Sequence, residues 1–385
     1  MKIDYTTKQA TENRAIRVAR AIEPALGPLE KLPGTWANVH PQHRLDNGDG
    51  PADLFQGEGT LTGAGQSPFD GRGWNSIALP FFEEGQFRNY RLLMNQYNEV
   101  LRFKKVDENI PNRGITQDRD GNADQLVGAL DYEQVVSQIA AEEFGKSGQA
   151  GVALLPIHHE PGFVLHMRDQ RIDGINIARL ATIPHGNAVT ALGRFNADVD
   201  VTDGPPSIAP LSGFPEGVSD DVASDVDGLD PKDSANARAY LLPYAKFARD
   251  PFKGVVAAAG FPGFGPANAN QLLQIGLPGN VVKTTALDFD TELFEAGIVN
   301  IPFVERQADA ASMKVKMWIM ELDEEGIAGH PRMILAYSQF IFLDFFRRRD
   351  GKPGLIRWPH ISINMMEKVE EPDNSEQPME AAAIS

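Results

Sequence analysis

The chain has 385 residues, contains no cysteine and carries a formal net charge of −17. The lack of cysteine excludes disulfides, thiolate metal sites and a cysteine nucleophile, and the acidic balance disfavours nucleic acid and anionic membranes as partners. No apolar leader and no apolar run long enough to span a membrane is visible, so we expect a soluble cytoplasmic protein.

The sequence of residues 1–28 predicts a helical arm. Apolar residues recur at helical spacing between residues 11 and 22, and Pro24 ends the pattern. The chain then enters a first strand region at residue 29, with Trp36 close to its start.

Residues 29–197 and 281–369 predict two groups of strands, because short runs rich in β-branched and aromatic residues alternate with turn residues. The predicted strands cover residues 57–61, 71–80, 87–94, 97–106, 126–139, 152–157, 162–168, 175–183, 187–195, 281–287, 313–319, 333–343 and 358–363. Hairpin turns are predicted at 95–96, 158–161 and 184–186, and a helix over 132–144 is the alternative to one strand.

Strands of this kind, each with one polar and one apolar face, favour a closed antiparallel sheet. The sequence therefore predicts an all-β fold, a barrel of about ten to twelve strands. Residues 198–280 differ, being rich in proline, glycine and aspartate, and we expect an insertion that acts as a lid or an oligomer arm. The acidic tail 370–385 is expected to be disordered.

Three histidines, His166, His185 and His360, lie in or beside apolar strands. A neutral imidazole in such a place can be held by one hydrogen bond and offer its other nitrogen. His185 lies between Pro184 and Gly186, in a turn that could direct the ring into the barrel mouth. For each of the three, a purely structural histidine is the alternative.

Tyr337 and Gln339 share one face of a predicted strand, while Phe340 points to the other face. A buried face that carries Tyr and Gln needs hydrogen-bond partners, which a polar ligand group or a trapped water would supply. Arg179 and Arg194 could meet an acid in the same cavity, although a surface position is the alternative.

Several segments resemble bacterial and fungal proteins described as heme-binding or heme-peroxidase-like. These segments read GPLEKLPGTW, GRGWNSIALPF, ARLATIPHGNAV, NIPFVERQADAASMKVKMWI, YSQFIFLDF and WPHISI. The resemblance spans residues 29–369, with 198–279 the least covered part. It implies a calycin-like β-barrel, distantly like nitrobindin and the fatty-acid-binding proteins, with heme b as a candidate cofactor.

The first functional hypothesis is a protein that binds a small hydrophobic ligand, heme b among the candidates, inside the barrel. His185 and His360 are then the first candidate axial ligands, and His166 the third. The predicted ligand-binding residues are Trp74, Asn75, Ile77, His166, Trp318, Phe340 and His360, with Phe342 as a further apolar wall.

The second hypothesis is a cofactor-independent enzyme, such as a cyclase, isomerase or dehydratase, that uses the same cavity. His185 would be the general acid or base, and Tyr337, Gln339 and Asn75 would stabilise charge. A structural protein whose insertion mediates homo-oligomerisation is the third reading.

Overall fold

The computed structural model describes residues 24–38, 73–82, 90–145, 150–151, 156–218, 239–256, 260–326, 329–349 and 351–369. The predicted helix at 11–22, the predicted strand at 57–61 and the tail lie outside these residues. Within them, no helix is both long and apolar enough to cross a membrane.

The described residues are mostly strand. The strands are β1 Gly34–Ala37, β2 Gly73–Pro80, β3 Tyr90–Asn112, β4 Gln125–Phe144, β5 Pro156–Met167, β6 Ile177–Ile183, β7 Asn187–Gly193, β8 Val201–Asp203, β9 Val281–Asp290, β10 Gly297–Asn300, β11 Asp309–Glu325, β12 Pro331–Arg347 and β13 Leu355–Val369. The helices are short: 3-10 turns at Pro24–Leu29 and Ala239–Leu241, and α1 Ala197–Asp200, α2 Leu242–Arg249, α3 Gln271–Gly276 and α4 Pro302–Gln307.

Ten of these strands form a ring in which each neighbour is antiparallel, in the order β7, β6, β5, β4, β3, β1, β13, β12, β11, β9 and back to β7. β1 and β2 both lie between β3 and β13, one after the other, and each pairs with both of these strands. The predicted β-rich, antiparallel fold is therefore confirmed, and its ten-stranded ring is not a clean barrel. The calycin-like identity stays a prediction.

The ring closes narrowly between β7 and β9, through the single paired position Leu192 and Asp290. A Cβ on Gly193 would lie 2.1 Å from the Asp288 carbonyl oxygen, so only glycine allows the two backbones to approach this closely.

Alternate residues of the ring strands build two separate cores, because successive side chains of a strand point to opposite faces. On β12, Leu335 and Tyr337 belong to the cluster inside the ring, whereas Ile334 and Ala336 belong to the cluster outside it. The inner cluster draws residues from all ten strands of the ring, including Phe103, which faces the interior from β3.

The 3-10 helix Pro24–Leu29 closes one end of the ring. Leu26 and Leu29 are fully buried in the inner cluster beside Trp36. Gly27 has a φ of 61°, and a Cβ there would lie 2.6 Å from the His166 ring, so the left-handed glycine lets the helix pack directly on this histidine.

The insertion covers the outer face of the sheet. Tyr244 of α2 stacks on Trp358, with ring centroids 6.2 Å apart, and Phe264 lies beside Trp74. The Ser338 hydroxyl, which faces outward from β12, donates to Asn270 Oδ1 at 2.8 Å. The described residues between 208 and 277 therefore supply much of the outer core.

Two predicted hairpins are wrong, and one is confirmed. β3 runs through Asn95 and Gln96 because Asn95 pairs with Asn75 and both residues pair with β4, so tertiary pairing overrides the turn preference. β5 likewise continues through residues 158–161. The turn at 184–186 between β6 and β7 is present, and residues 132–144 are strand, not helix.

Candidate functional site

Glu99 of β3 lies at the centre of a polar layer inside the ring and is fully buried. Its carboxylate accepts three hydrogen bonds: from the Tyr337 hydroxyl at 2.6 Å, from Asn364 Nδ2 at 2.7 Å and from Gln134 Nε2 at 2.7 Å. The Tyr337 oxygen lies 3.0 Å from the Tyr97 hydroxyl. Four strands, β3, β4, β12 and β13, thus converge on one carboxyl group.

Burial raises the pKa of Glu99, and the three hydrogen bonds oppose that rise. No lysine or arginine of the described residues contacts the carboxylate. Burial also raises the pKa of Tyr337. The group is therefore a desolvated acid that is held by neutral donors, an arrangement that favours proton exchange closer to neutral pH than an exposed glutamate allows.

The Asn38 side chain fixes the position of the polar layer around Glu99, in the gap between the end of β1 and the start of β2. Its Oδ1 accepts from the Glu99 backbone N–H at 2.9 Å, and its Nδ2 donates to the Tyr97 carbonyl at 3.1 Å and to Asn364 Oδ1 at 3.3 Å. The side chain replaces the backbone pairing that a strand would supply there, and it orients Asn364 toward Glu99.

A second polar group surrounds Arg179 of β6, which is also buried. Its guanidinium donates to Glu160 Oε1 at 2.6 Å, to the Tyr132 hydroxyl at 3.0 Å and to Gln339 Oε1 at 3.1 Å, and Tyr132 donates to Glu160. Burial, the largest single influence, raises the pKa of Glu160, but Arg179, His158 and Tyr132 together lower it by more, and the resulting pKa is about 2. This pair is therefore charged at neutral pH.

A small cavity lies where the polar residues meet the apolar floor of the ring. Gln134, Tyr337 and Gln339 line it on one side together with Arg179 and Tyr132, and the apolar lining is Leu101, Phe103, Val164 and Met317. About 10 Å³ is open to the centre of a water-sized molecule, which is room for one water. Gln134 Oε1 is buried and has no hydrogen-bond partner in the described part of the chain, so the cavity presents an unused acceptor.

Three histidines lie near one another at the end of the ring away from the 3-10 helix. The His158 and His185 rings stack with centroids 5.9 Å apart, and His158 Nε2 lies 3.2 Å from Glu160 Oε2. Burial is the main cause that lowers the pKa of His360 to about 4; the charges of His158 and His185 act in the same direction, and the hydrogen bond to Ser76 opposes them. His360 Nδ1 lies 2.9 Å from the Ser76 carbonyl oxygen, so the neutral ring donates from Nδ1 and leaves Nε2 as an acceptor.

The structure brings some of the predicted site residues together. Tyr337 and Gln339 lie inside the ring as members of the two polar groups, and His185 and His360 approach each other through His158. Asn75 lies on the face of β2 opposite to Trp74, and its Oδ1 accepts from Asn95 Nδ2 at 2.7 Å. His185 itself is exposed on its turn.

Other predicted residues lie elsewhere. Trp74 and Trp318 belong to the outer cluster, and Phe340 and Ile77 pack against it. Trp74, Trp318 and Phe340 face outward because they alternate with inward-facing residues. They do not line the cavity beside Tyr337. His166 lies at the closed end, where burial lowers its pKa to about 4.

Sequence reasoning missed the two carboxylates Glu99 and Glu160 and the amides Asn38, Gln134 and Asn364. Glu99, Gln134 and Glu160 each follow a polar residue in the chain, where they resemble solvent-facing strand positions. The one available signal was spacing: Glu99 lies two residues from Tyr97 and shares its face.

The interior does not fit heme b, which the resemblance implies. A porphyrin is far larger than a space for one water, and Arg179, Gln134 and Tyr337 occupy the centre of the ring. Within the described ranges, no three histidine, aspartate or glutamate side chains are grouped to hold a metal ion.

No known protein family matches the chain, and no curated protein is detectably similar to it. Among solved structures, the chain is similar to a crystal structure of Rv2717c from M. tuberculosis, with 11% identity and a TM-score of 0.33 over 91% of this chain and 99% of that chain. A likeness at that level carries no conclusion about fold or function.

Proposed function

We propose that the protein binds a small molecule inside the ring. The observation that supports this most directly is the cavity whose polar side presents Gln134 Oε1 without a partner. A hydroxyl or N–H of a ligand would satisfy this acceptor, and leaving such a group unpaired costs about 1–3 kcal/mol.

The lining sets the chemistry of the ligand. Arg179 is already neutralised by Glu160, so the site favours a neutral polar group over an anion. Leu101, Val164 and Met317 line the opposite side and favour a small apolar body. The cavity takes the polar group, and the rest of the molecule extends toward the partly exposed His158 and exposed His185.

Native mass spectrometry of the full chain, purified from the cells that make it, tests this proposal. We expect a mass excess that disappears on denaturation and that is lost in the Tyr337→Phe and Gln134→Leu variants. Ser338→Ala is the matched control, because Ser338 lies next to Tyr337 in β12 but faces outward to Asn270. A bare-chain mass, together with an unchanged melting temperature in a low-molecular-weight cell extract, would contradict binding.

Heme is a distinguishable result of the same preparation. A Soret band that is lost in His360→Ala and in His185→Ala would indicate heme at the histidine end and would contradict a ligand in the cavity. We expect no such band, because the cavity holds about one water.

A second candidate function is a cofactor-independent acid–base enzyme, and Glu99 is the observation that favours it. Its pKa is raised by burial, and Tyr337 contacts both it and the cavity. Glu99 would exchange the proton and Tyr337 would relay it to the bound ligand. If the co-purified molecule is converted on incubation, Glu99→Gln must abolish conversion while the molecule still binds; unchanged conversion would exclude this role.

A further inference from the structure

Trp74 and Gln96 form a pair on the outer face of the sheet, away from the ring interior. They are direct partners in the pairing of β2 with β3, which places their side chains next to each other on one face. Trp74 is 1% exposed and Gln96 is 0% exposed. Both side chains are therefore removed from water by the insertion.

Each member of the pair has a buried N–H without an acceptor. Neither Trp74 Nε1 nor Gln96 Nε2 has a hydrogen-bond partner in the described part of the protein. Two other buried indoles differ: Trp36 donates to the Leu32 carbonyl at 2.8 Å and Trp358 to the Phe345 carbonyl at 2.9 Å. Two adjacent unpaired donors are uncommon in protein interiors and mark a place that an additional acceptor would stabilise.

The walls around the pair are aromatic. The Trp74 ring lies 5.8 Å from Phe252, 5.6 Å from Phe261 and 6.2 Å from Phe264, measured between ring centroids. These walls carry no charge, and burying an anion without a cation is costly. The pair therefore suits a neutral acceptor, such as the oxygen of a ketone, ester or amide, on an apolar or aromatic body.

A thin loop covers the pair. Gln96 Oε1 accepts from the Val255 N–H at 2.9 Å, and Phe252 and Phe264 pair through two backbone hydrogen bonds of 2.9 and 2.8 Å. Val255 is 53% exposed, so one layer of chain separates the donors from solvent.

We propose that Trp74 and Gln96 form a second small-molecule site, in which both N–H groups bind a carbonyl oxygen between the sheet and the covering residues 251–256 and 260–264. The site is independent of the ring cavity, since its residues face the opposite side of β2 and β3.

The indole N–H resonances of the full chain provide the test, because the protein has four tryptophans. With the Trp74 signal assigned through Trp74→Phe, we titrate acetophenone and, as the control without an acceptor, toluene. Acetophenone is expected to shift the Trp74 N–H signal in a saturable way, and toluene is expected to leave it unchanged. Gln96→Glu should weaken acetophenone at least about tenfold, since the new carboxyl keeps the acceptor for Val255 N–H but removes the amide donors.

The remaining indole signals monitor folding of the variants, so loss of structure is distinguishable from loss of binding. The proposal is overturned if acetophenone leaves the Trp74 signal in place, if toluene shifts it equally, or if Gln96→Glu binds as well as the parent. The proposal is likewise overturned if the Trp74 N–H contacts only an ordered water at every acetophenone concentration.

Discussion

The Tyr337 hydroxyl donates to Glu99 Oε2 over 2.6 Å in the buried centre of the ring, between strands that are 238 residues apart in the chain. The contact links β12 to β3 across the interior, and neither group has a cation to balance the carboxylate. The proposed acid–base role of Glu99 and the stability of the inner layer both depend on this contact.

Glu99→Gln should stabilise the protein at pH 8. Burial raises the pKa of Glu99, so its contribution to stability is complete below the unfolded value of about 4.5 and is lost as pH rises through the folded pKa. The amide removes the buried charge, and the unpaired Gln134 Oε1 can accept its new N–H after an amide flip.

We expect a gain of about 1–3 kcal/mol in the free energy of unfolding at pH 8 that shrinks toward pH 4, since each pKa unit is worth about 1.4 kcal/mol. Urea denaturation at both pH values measures it. A gain that is equal at the two values would show that Glu99 is not a desolvated acid.

The alternation of β12 was readable from sequence, and the partners of its inward residues were not. Tyr337 and Gln339 fall on one face because strands have a period of two. Glu99, however, comes from a segment interrupted in prediction at Asn95 and Gln96, which are typical turn residues. Only the pairing of these two residues with β2 and β4 makes β3 a single strand of 23 residues, and that information lies far away in the chain.

The site was harder to predict than the fold for a related reason. The sequence of a strand reveals which residues share a face. Which of the two faces becomes the interior depends on closure of the whole ring. Arg179 illustrates this, since the sequence allowed either a surface charge or a cavity partner for an acid. The structure places it against Glu160 from the neighbouring strand β5.

Arg179→Met should strongly destabilise the protein. The change leaves Glu160 buried without its guanidinium partner, and breaking a buried pair on one side costs about 3–5 kcal/mol. The double variant Arg179→Met, Glu160→Gln should recover much of this loss, because the uncompensated charge is gone. Chemical denaturation of the single and double variants measures both steps, and equal stability of the two would argue against the ion pair.

Asn38→Ala should destabilise the protein by about 2–4 kcal/mol. It removes the partners of the Glu99 N–H and the Tyr97 carbonyl, which are buried in β3 beside the gap between β1 and β2, and each unsatisfied buried group costs about 1–3 kcal/mol. Asn112→Ala is the control, since the Asn112 amide bonds to Gln125 at the surface and should cost below about 0.5 kcal/mol. Similar losses of stability in both variants would mean that the Asn38 side chain does not stabilise the gap between β1 and β2.

Acid should destabilise the ring through His360. Its folded pKa of about 4 lies below the ordinary value of 6.5, chiefly because of burial. A histidine that stays neutral in the folded state contributes stability that is complete above pH 6.5 and is lost as pH falls through 4, since the unfolded chain binds the proton first. His360→Asn removes the titration while its amide can still donate to the Ser76 carbonyl. The free energy of unfolding should therefore depend less steeply on pH in the variant, by up to about 1.4 kcal/mol per pH unit between pH 6 and 4.5.

His159→Asn is the matched control, because His159 is exposed and pairs with Glu133 at the surface; its profile should follow that of the parent. If the His360→Asn profile also runs parallel to the parent, His360 is not held neutral by its buried position.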